Sequence, residues 1–201
     1  MDGTIYIMNA DGTDQRTLAP GDMAVWFPYR REVIIVNIEG GGASESFSVR
    51  TVDIDTGEER VLFQADKDFD ISAVPDISTN GNQLALAWGE PGEYGTTVLY
   101  NIYLNTGEIV PLSSGGGGGT IDILGWTSDN EWLVATVGGD NYFIHRQGAC
   151  WVSLEPLEDL DWLAFSGYGD HLFVWYEGDY YVIDLHEALG PDFPDGVLEC
   201  P

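Results

Sequence analysis

Carboxylates are the commonest reactive groups in this chain. Thirty-four Asp and Glu stand against seven Lys and Arg and three His, a formal net charge of −27. Paired carboxylates can perform general acid–base chemistry, glycoside hydrolysis above all, when two of them are held roughly 5–9 Å apart. Abundance does not supply that geometry. No Gly-x-Ser-x-Gly turn is present to expose a serine nucleophile. His145, His171 and His186 are far apart and lack metal-ligand spacing; His145 and His171 sit beside apolar strands and are read as ordinary strand or turn histidines. Asn9-x-Asp11-Gly12-x-Asp14 and Asp53-x-Asp55-x-Gly57-Glu58 have the oxygen-rich character of calcium loops. Calcium takes six or more oxygens, however, and both runs lack the full loop length and the closing bidentate Glu. Asp, Asn and Gly are also what a tight β-turn requires. The expectation is therefore two turns, no catalytic residue and no cofactor, with Ca2+ the one ion whose loops these runs approach.

Three further features are weighed in the same way. Cys150 and Cys200 would pair as a disulfide in an exported chain, or stand as two buried thiols; neither belongs to a C-x-x-C. The run from Gly115 to Gly119 lacks the following helix and Lys of a phosphate cradle and reads as a connector. The acidic surface repels phosphate backbones and anionic headgroups, which argues against nucleic acid and membrane surfaces as partners. No apolar run reaches the roughly 18 residues of a spanning helix. Nor does a basic segment followed by an apolar one open the chain, so no signal peptide is expected in it. The partner expected is a protein or small ligand that is basic or cationic; plain solubility is the simpler account of the charge.

The elements that would position these groups are strands. An apolar strand, a Gly turn and a second strand ending in Leu recur: Ile5–Gly12 with Gln15–Leu18, Val52–Gly57 with Arg60–Phe63, Ile102–Gly107 with Val110–Leu112, and Tyr142–Gly148 with Trp151–Leu154. The segments alternate or run apolar over four to seven residues rich in Val, Ile, Tyr and Trp, which is strand patterning. A second pair precedes each of the three later copies and recurs once after the last: Ala24–Phe27 with Val33–Ile38, Ile71–Ile77 with Leu84–Trp88, Ile121–Trp126 with Trp132–Val137, and Trp162–Phe165 with Leu172–Tyr176. Together they make four-stranded units of about 40–50 residues, the size of a β-propeller blade. The strands of a blade are named A to D from axis to rim. The expected fold is all-β, a β-propeller of about four to five four-stranded antiparallel blades forming one domain over residues 1–201, as a closed ring or part of a larger one. One helical turn is expected at Leu185–Leu189, stopped by Gly190-Pro191, and Val197–Cys200 could supply an outer strand.

The stretch from Ile5 to Leu18 (Ile5-Tyr6-Ile7-Met8-Asn9-Ala10-Asp11-Gly12-Thr13-Asp14-Gln15-Arg16-Thr17-Leu18) resembles the C–D hairpin of TolB-type, WD40-like repeats. The family's A–B turn, Trp-Ser-Pro-Asp-Gly, survives as traces in Ser78-Thr79-Asn80-Gly81 and in Trp126-Thr127-Ser128-Asp129-Asn130, and not in Phe27-Pro28-Tyr29-Arg30-Arg31. The resemblance implies a non-catalytic scaffold for protein interaction or ligand binding that works in the periplasm, at the cell surface or outside the cell. The alternative is a propeller-type enzyme or accessory domain acting on glycans or peptides.

On this architecture the D–A and B–C connections share one face and carry Asp66, Asp68, Asp70, Glu90, Glu93, Asp140, Glu158, Asp159 and Asp161. A ring of carboxylates there would focus negative potential on a cationic partner, and these are the expected binding residues. The seven tryptophans, Trp26, Trp88, Trp126, Trp132, Trp151, Trp162 and Trp175, all fall on expected strands and are expected to pack between blades. An open ring would leave unpaired blades free to self-associate.

Overall fold

A computed structural model describes residues 3–40, 45–65, 70–71, 74–89, 97–113, 120–148, 150–153, 162–166, 170–176 and 179–189. The chain divides into two compact units, Met1–Asp70 and Ile71–Pro201.

In the first unit, β1 (Thr4–Ile7) and β2 (Arg16–Pro20) form an antiparallel hairpin. It is followed by a sheet ordered β3 (Met23–Trp26), β4 (Glu32–Gly40), β5 (Glu45–Asp53), β6 (Glu59–Ala65). Val33, Ile34, Ile35 and Val36 of β4 are all buried, because an inner strand is covered on both faces and needs apolar residues at every position. Val33 and Ile35 join Ala19, Val52 and Ile54, with Ile5, Ile7 and Leu18 packed against them. The hairpin thus packs its inner face on one side of the sheet.

In the second unit, the two-residue strands β7 (Asp70–Ile71, at the junction of the units) and β8 (Asp76–Ile77) both neighbour β9 (Gln83–Gly89). The sheet continues through β10 (Thr97–Tyr103) to β11 (Glu108–Pro111). The next sheet is ordered β12 (Ile121–Trp126), β13 (Trp132–Val137), β14 (Asp140–His145), β15 (Trp151–Ser153). The last described sheet is ordered β16 (Trp162–Phe165), β17 (His171–Tyr176), β18 (Asp179–Asp184) and leads into the helical turn α1 (Leu185–Leu189), where the sequence places it. The outer strand expected at Val197–Cys200 lies outside the described residues.

Period-two alternation sends the side chains of one strand into two different cores. On β13, Leu133 and Ala135 pack with Ala85, Ala87, Leu99 and Trp126, whereas Trp132 and Val134 pack with Phe143, Leu172 and Val174. The β12–β15 sheet is therefore packed against the sheet before it and the sheet after it.

Backbone bonds give the repeat its register. The A–B turns close through Phe27 N to Glu32 O, Ser78 N to Gln83 O, Thr127 N to Trp132 O and Ser166 N to His171 O, at 2.9–3.0 Å. The C strands return to them through Ile54 N to Arg31 O, Leu104 N to Asn82 O, Arg146 N to Glu131 O and Leu185 N to Asp170 O. Trp26, Ile77, Trp126 and Phe165 are thereby equivalent, as the partners of Val33, Leu84, Leu133 and Leu172.

Two tryptophans correct the expectation of packing between blades. Trp88, Trp126 and Trp132 are buried, but Trp26 is 57% and Trp175 39% exposed. Both lie on strand faces that no sheet covers among the described residues.

Candidate binding groove

Three of the four A–B turns are built by hydroxyls, those of Ser78, Thr127 and Ser166. Ser78 Oγ donates to Asn80 Oδ1 and accepts from Gln83 N; Thr127 Oγ1 bonds Asp129 Oδ1 and accepts from Trp132 N. Ser166 repeats the pattern, donating to Asp170 Oδ1 at 2.9 Å and accepting from Asp170 N and His171 N. His171 Nδ1 meets the same Asp170 oxygen at 2.7 Å, and its Nε2 lies 3.8 Å from Asp184. Ser166, Asp170 and His171 are the residue types of a hydrolase triad, wired differently. A nucleophile must give its proton to the histidine, and here the serine gives it to the aspartate, as Ser78 gives its proton to Asn80 and Thr127 to Asp129. The bond to His171 holds the Asp170 carboxyl below its ordinary value, and the same contact raises His171.

The two runs that approach calcium loops are likewise occupied as turns. Asp11 Oδ1 accepts from Thr13 N and Thr13 Oγ1, and Asn9 Nδ2 donates to Thr13 Oγ1 and Asp14 Oδ2. Asp53 Oδ1 accepts from the amides of Asp55 and Thr56 and from the Thr56 hydroxyl. Asp55 takes both arms of the Arg31 guanidinium at 2.5 and 2.7 Å. These bonds lower the carboxyl pKa values: for Asp11 through the Thr13 hydroxyl first, for Asp53 through the Thr56 amide first, and for Asp55 through Arg31 first. Among the described residues, no group of three or more His, Cys, Asp or Glu is placed to hold a metal ion.

A different feature stands out in the first unit. An open groove of about 650 Å³ is lined by Ile7, Met8, Asn9, Asp14, Gln15, Arg16, Trp26, Arg31 and Ile54. Its apolar surface comes from the exposed Trp26 ring and from Met8, 64% exposed. Arg16 is anchored by a bond from its guanidinium to Ile54 O, and Arg31 by Asp55. Beside it the A–B turn carries Tyr29 at φ 57°, a left-handed conformation uncommon for an aromatic residue, and Tyr29 is 86% exposed. Arg30 lies over the Phe27 ring at 4.3 Å. Six of the seven basic residues of the chain fall within its first 70 positions. The groove thus combines the exposed Trp26 and Met8 side chains with guanidinium groups in a chain of net charge −27.

Of the binding residues expected from sequence, Asp140 is exposed at the start of β14, beside the Gly138-Gly139 turn. Asp70 opens β7. Asp66, Asp68, Glu90, Glu93, Glu158, Asp159 and Asp161 lie outside the described residues, as does Cys200. Cys150 is buried in the cluster shared by β13, β14 and β17. Sequence reasoning missed the groove, although a signal for it existed: Arg30-Arg31 is the only pair of adjacent basic residues in the chain, in the one turn that departs from the repeat.

No family model matches the sequence, and neither does any curated protein. Solved structures do match. TolB from Acinetobacter baumannii aligns with a TM-score of 0.65 at 16% identity, over 91% of this chain and 46% of that one. An oligogalacturonate lyase in complex with manganese aligns at 0.57 and 12% identity, over 90% and 56%. The periplasmic gluconolactonase of Pseudomonas aeruginosa aligns at 0.51 and 14% identity, over 90% and 62%. This chain spans about half the length of the proteins it matches. What they share with it is the TolB-like β-propeller fold.

Proposed function

We propose that this TolB-like β-propeller is a non-catalytic scaffold that binds an extended polypeptide in the groove beside Trp26. The observation that carries the proposal is the groove itself, lined by the exposed Trp26 together with Asn9, Gln15, Arg16 and Arg31, a mix of aromatic and polar groups that suits a binding site. The hydroxyl–carboxylate–histidine cluster at Ser166 supports it from the other side, because its bonds serve the turn. The enzyme neighbours show that propellers also carry catalysis, but the Ser166, Asp170 and His171 side chains are bonded to one another within an A–B turn. No helix among the described residues is long and apolar enough to cross a membrane. We place the protein in the periplasm or outside the cell, on the strength of its resemblance to TolB-type repeats.

The test is fluorescence titration with unstructured eight- to ten-residue peptides of alternating apolar and polar sequence, alongside mass spectrometry of those peptides. The reading expects saturable binding that Trp26→Ala weakens about tenfold or more, a loss of roughly 1.4 kcal/mol, with the peptides recovered intact. Cleaved peptides, or binding indifferent to Trp26→Ala, would refute it.

A further inference from the structure

The four A–B turns carry a joint at the same place, between the residue that precedes the B strand and the end of the C strand. The preceding residues are Arg31, Asn82, Glu131 and Asp170, made equivalent by carbonyls that accept from Ile54 N, Leu104 N, Arg146 N and Leu185 N. Their side chains are all tied. Arg31 holds both oxygens of Asp55, Asn105 Nδ2 donates to Asn82 Oδ1 at 3.0 Å, and Glu131 lies 2.7 Å from Arg146 Nε. Two of these joints pair a carboxylate with a guanidinium, which keeps its charge at any ordinary pH, and one pairs two neutral amides. His145 Nε2 also stands 3.7 Å from the Glu131 oxygen, but Arg146 already supplies the charge there.

In the fourth joint the cation is an imidazole. His171 Nδ1 meets Asp170 Oδ1 at 2.7 Å, and Nε2 lies 3.8 Å from Asp184 Oδ2. The other Asp184 oxygen accepts from His186 N and Glu187 N, so this carboxylate caps α1. The ring thus stands between the end of the A–B turn and the junction of β18 with α1. It is 38% exposed, which lets protons reach it from solvent.

The surroundings of the ring come from several elements. The A–B turn contributes Asp170 and the Ser166 hydroxyl, β18 contributes Asp184, and α1 carries the exposed His186 and Glu187. From the neighbouring sheet, β13 and β14 contribute Trp132, Val134 and Phe143, which pack with Leu172. The bond to Asp170 first, and then the charges of Asp170 and Asp184, raise the His171 pKa from its ordinary 6.5. A protonated imidazole donates from both nitrogens and sets a positive charge between the two carboxylates. A neutral one has a single N–H. Bonded to Asp170, it offers Asp184 an unprotonated nitrogen and no charge.

We infer that this joint is a pH-sensitive clasp. With its proton, His171 bridges Asp170 and Asp184 and holds the start of α1 to the A–B turn; without it, the bridge to Asp184 is lost and α1 loosens. Because the folded value is raised, the contribution of the clasp is complete below pH 6.5 and is lost as the pH rises through that higher value. The same place in the other three turns is held by groups that do not titrate near neutrality.

The test is NMR of the full chain. Ring C–H signals follow each histidine, and the helical Cα shifts of Leu185 and Glu187 report on α1. The expected result is a loss of about a third or more of those shifts between about pH 5.5 and about pH 9, with the midpoint of His171. His171→Gln should show the reduced shifts throughout, with no step. Asp184→Asn keeps a capping side chain, yet it should lower the His171 midpoint and flatten the step. His186→Gln should keep both. A step that persists in His171→Gln, or that disappears in His186→Gln, would overturn the inference. So would a His171 midpoint that Asp184→Asn leaves in place, since a merely structural histidine would behave in that way.

Discussion

Replacing Asp76 with Asn should stabilise the protein at neutral pH, and the gain should vanish in acid. Asp76 lies on β8, under Trp126. Its carboxyl accepts from the backbone at Ile77 and Trp126, but burial outweighs both bonds and pushes its pKa from 3.8 to about 6. A group whose folded pKa is raised binds its proton more tightly in the folded state. Its stabilising contribution is complete below pH 3.8 and is lost as the pH rises through about 6. At about 1.4 kcal/mol per pKa unit, the ionised group costs the native state about 3 kcal/mol at pH 7.5. Asn cannot ionise and keeps a carbonyl oxygen for the two backbone donors. The variant should therefore gain up to about 3 kcal/mol at pH 7.5 and nothing at pH 3.5. Urea denaturation of both proteins from pH 3.5 to 8, followed by tryptophan fluorescence, gives the difference directly. Carboxyls held low, such as Asp53 and Asp170, drop out because they titrate in both proteins. A difference that does not change with pH, or a variant less stable at pH 7.5, would refute the assignment of burial as the dominant cause.

Further outcomes follow from the contacts between blades. Gly125→Ala must place a Cβ against Phe165 at a φ of 150° and should cost about 1–3 kcal/mol in denaturation. Trp126→Ala should cost about 3–5 kcal/mol, whereas Trp26→Ala should change stability by about 0.5 kcal/mol or less, since its ring is exposed. Thr127→Val removes a turn hydroxyl that bonds Asp129 and accepts from Trp132 N, and should cost about 1–2 kcal/mol by the same assay. Ser166→Ala should lower stability by a similar amount and leave peptide binding at Trp26 unchanged; lost binding would contradict its role as a turn residue.

The repeat was readable in the sequence because its turns impose backbone conformations that few residues tolerate. Gly12, Gly57, Gly107 and Gly148 all sit at φ between 70° and 83° in the C–D turns. The unbroken apolar run of β4 and the helical turn at Leu185 followed from patterning in the same way. Burial at the edge of a repeated structure is a different matter. Trp26 and Trp126 have the same place in the pattern, and patterning cannot say whether a neighbouring sheet is there to cover the ring. The groove was hidden for that reason, and because 34 acidic residues mask the few basic ones in the overall charge. The acidic loop positions lie mostly where the structure describes nothing.

The central claim is that the groove beside Trp26 binds an extended polypeptide. Fluorescence titration of the protein and of its Trp26→Ala variant with unstructured peptides tests it most directly. The account predicts saturable binding that the variant weakens about tenfold or more. Binding equal in the two proteins, or no saturable binding to either, would contradict it.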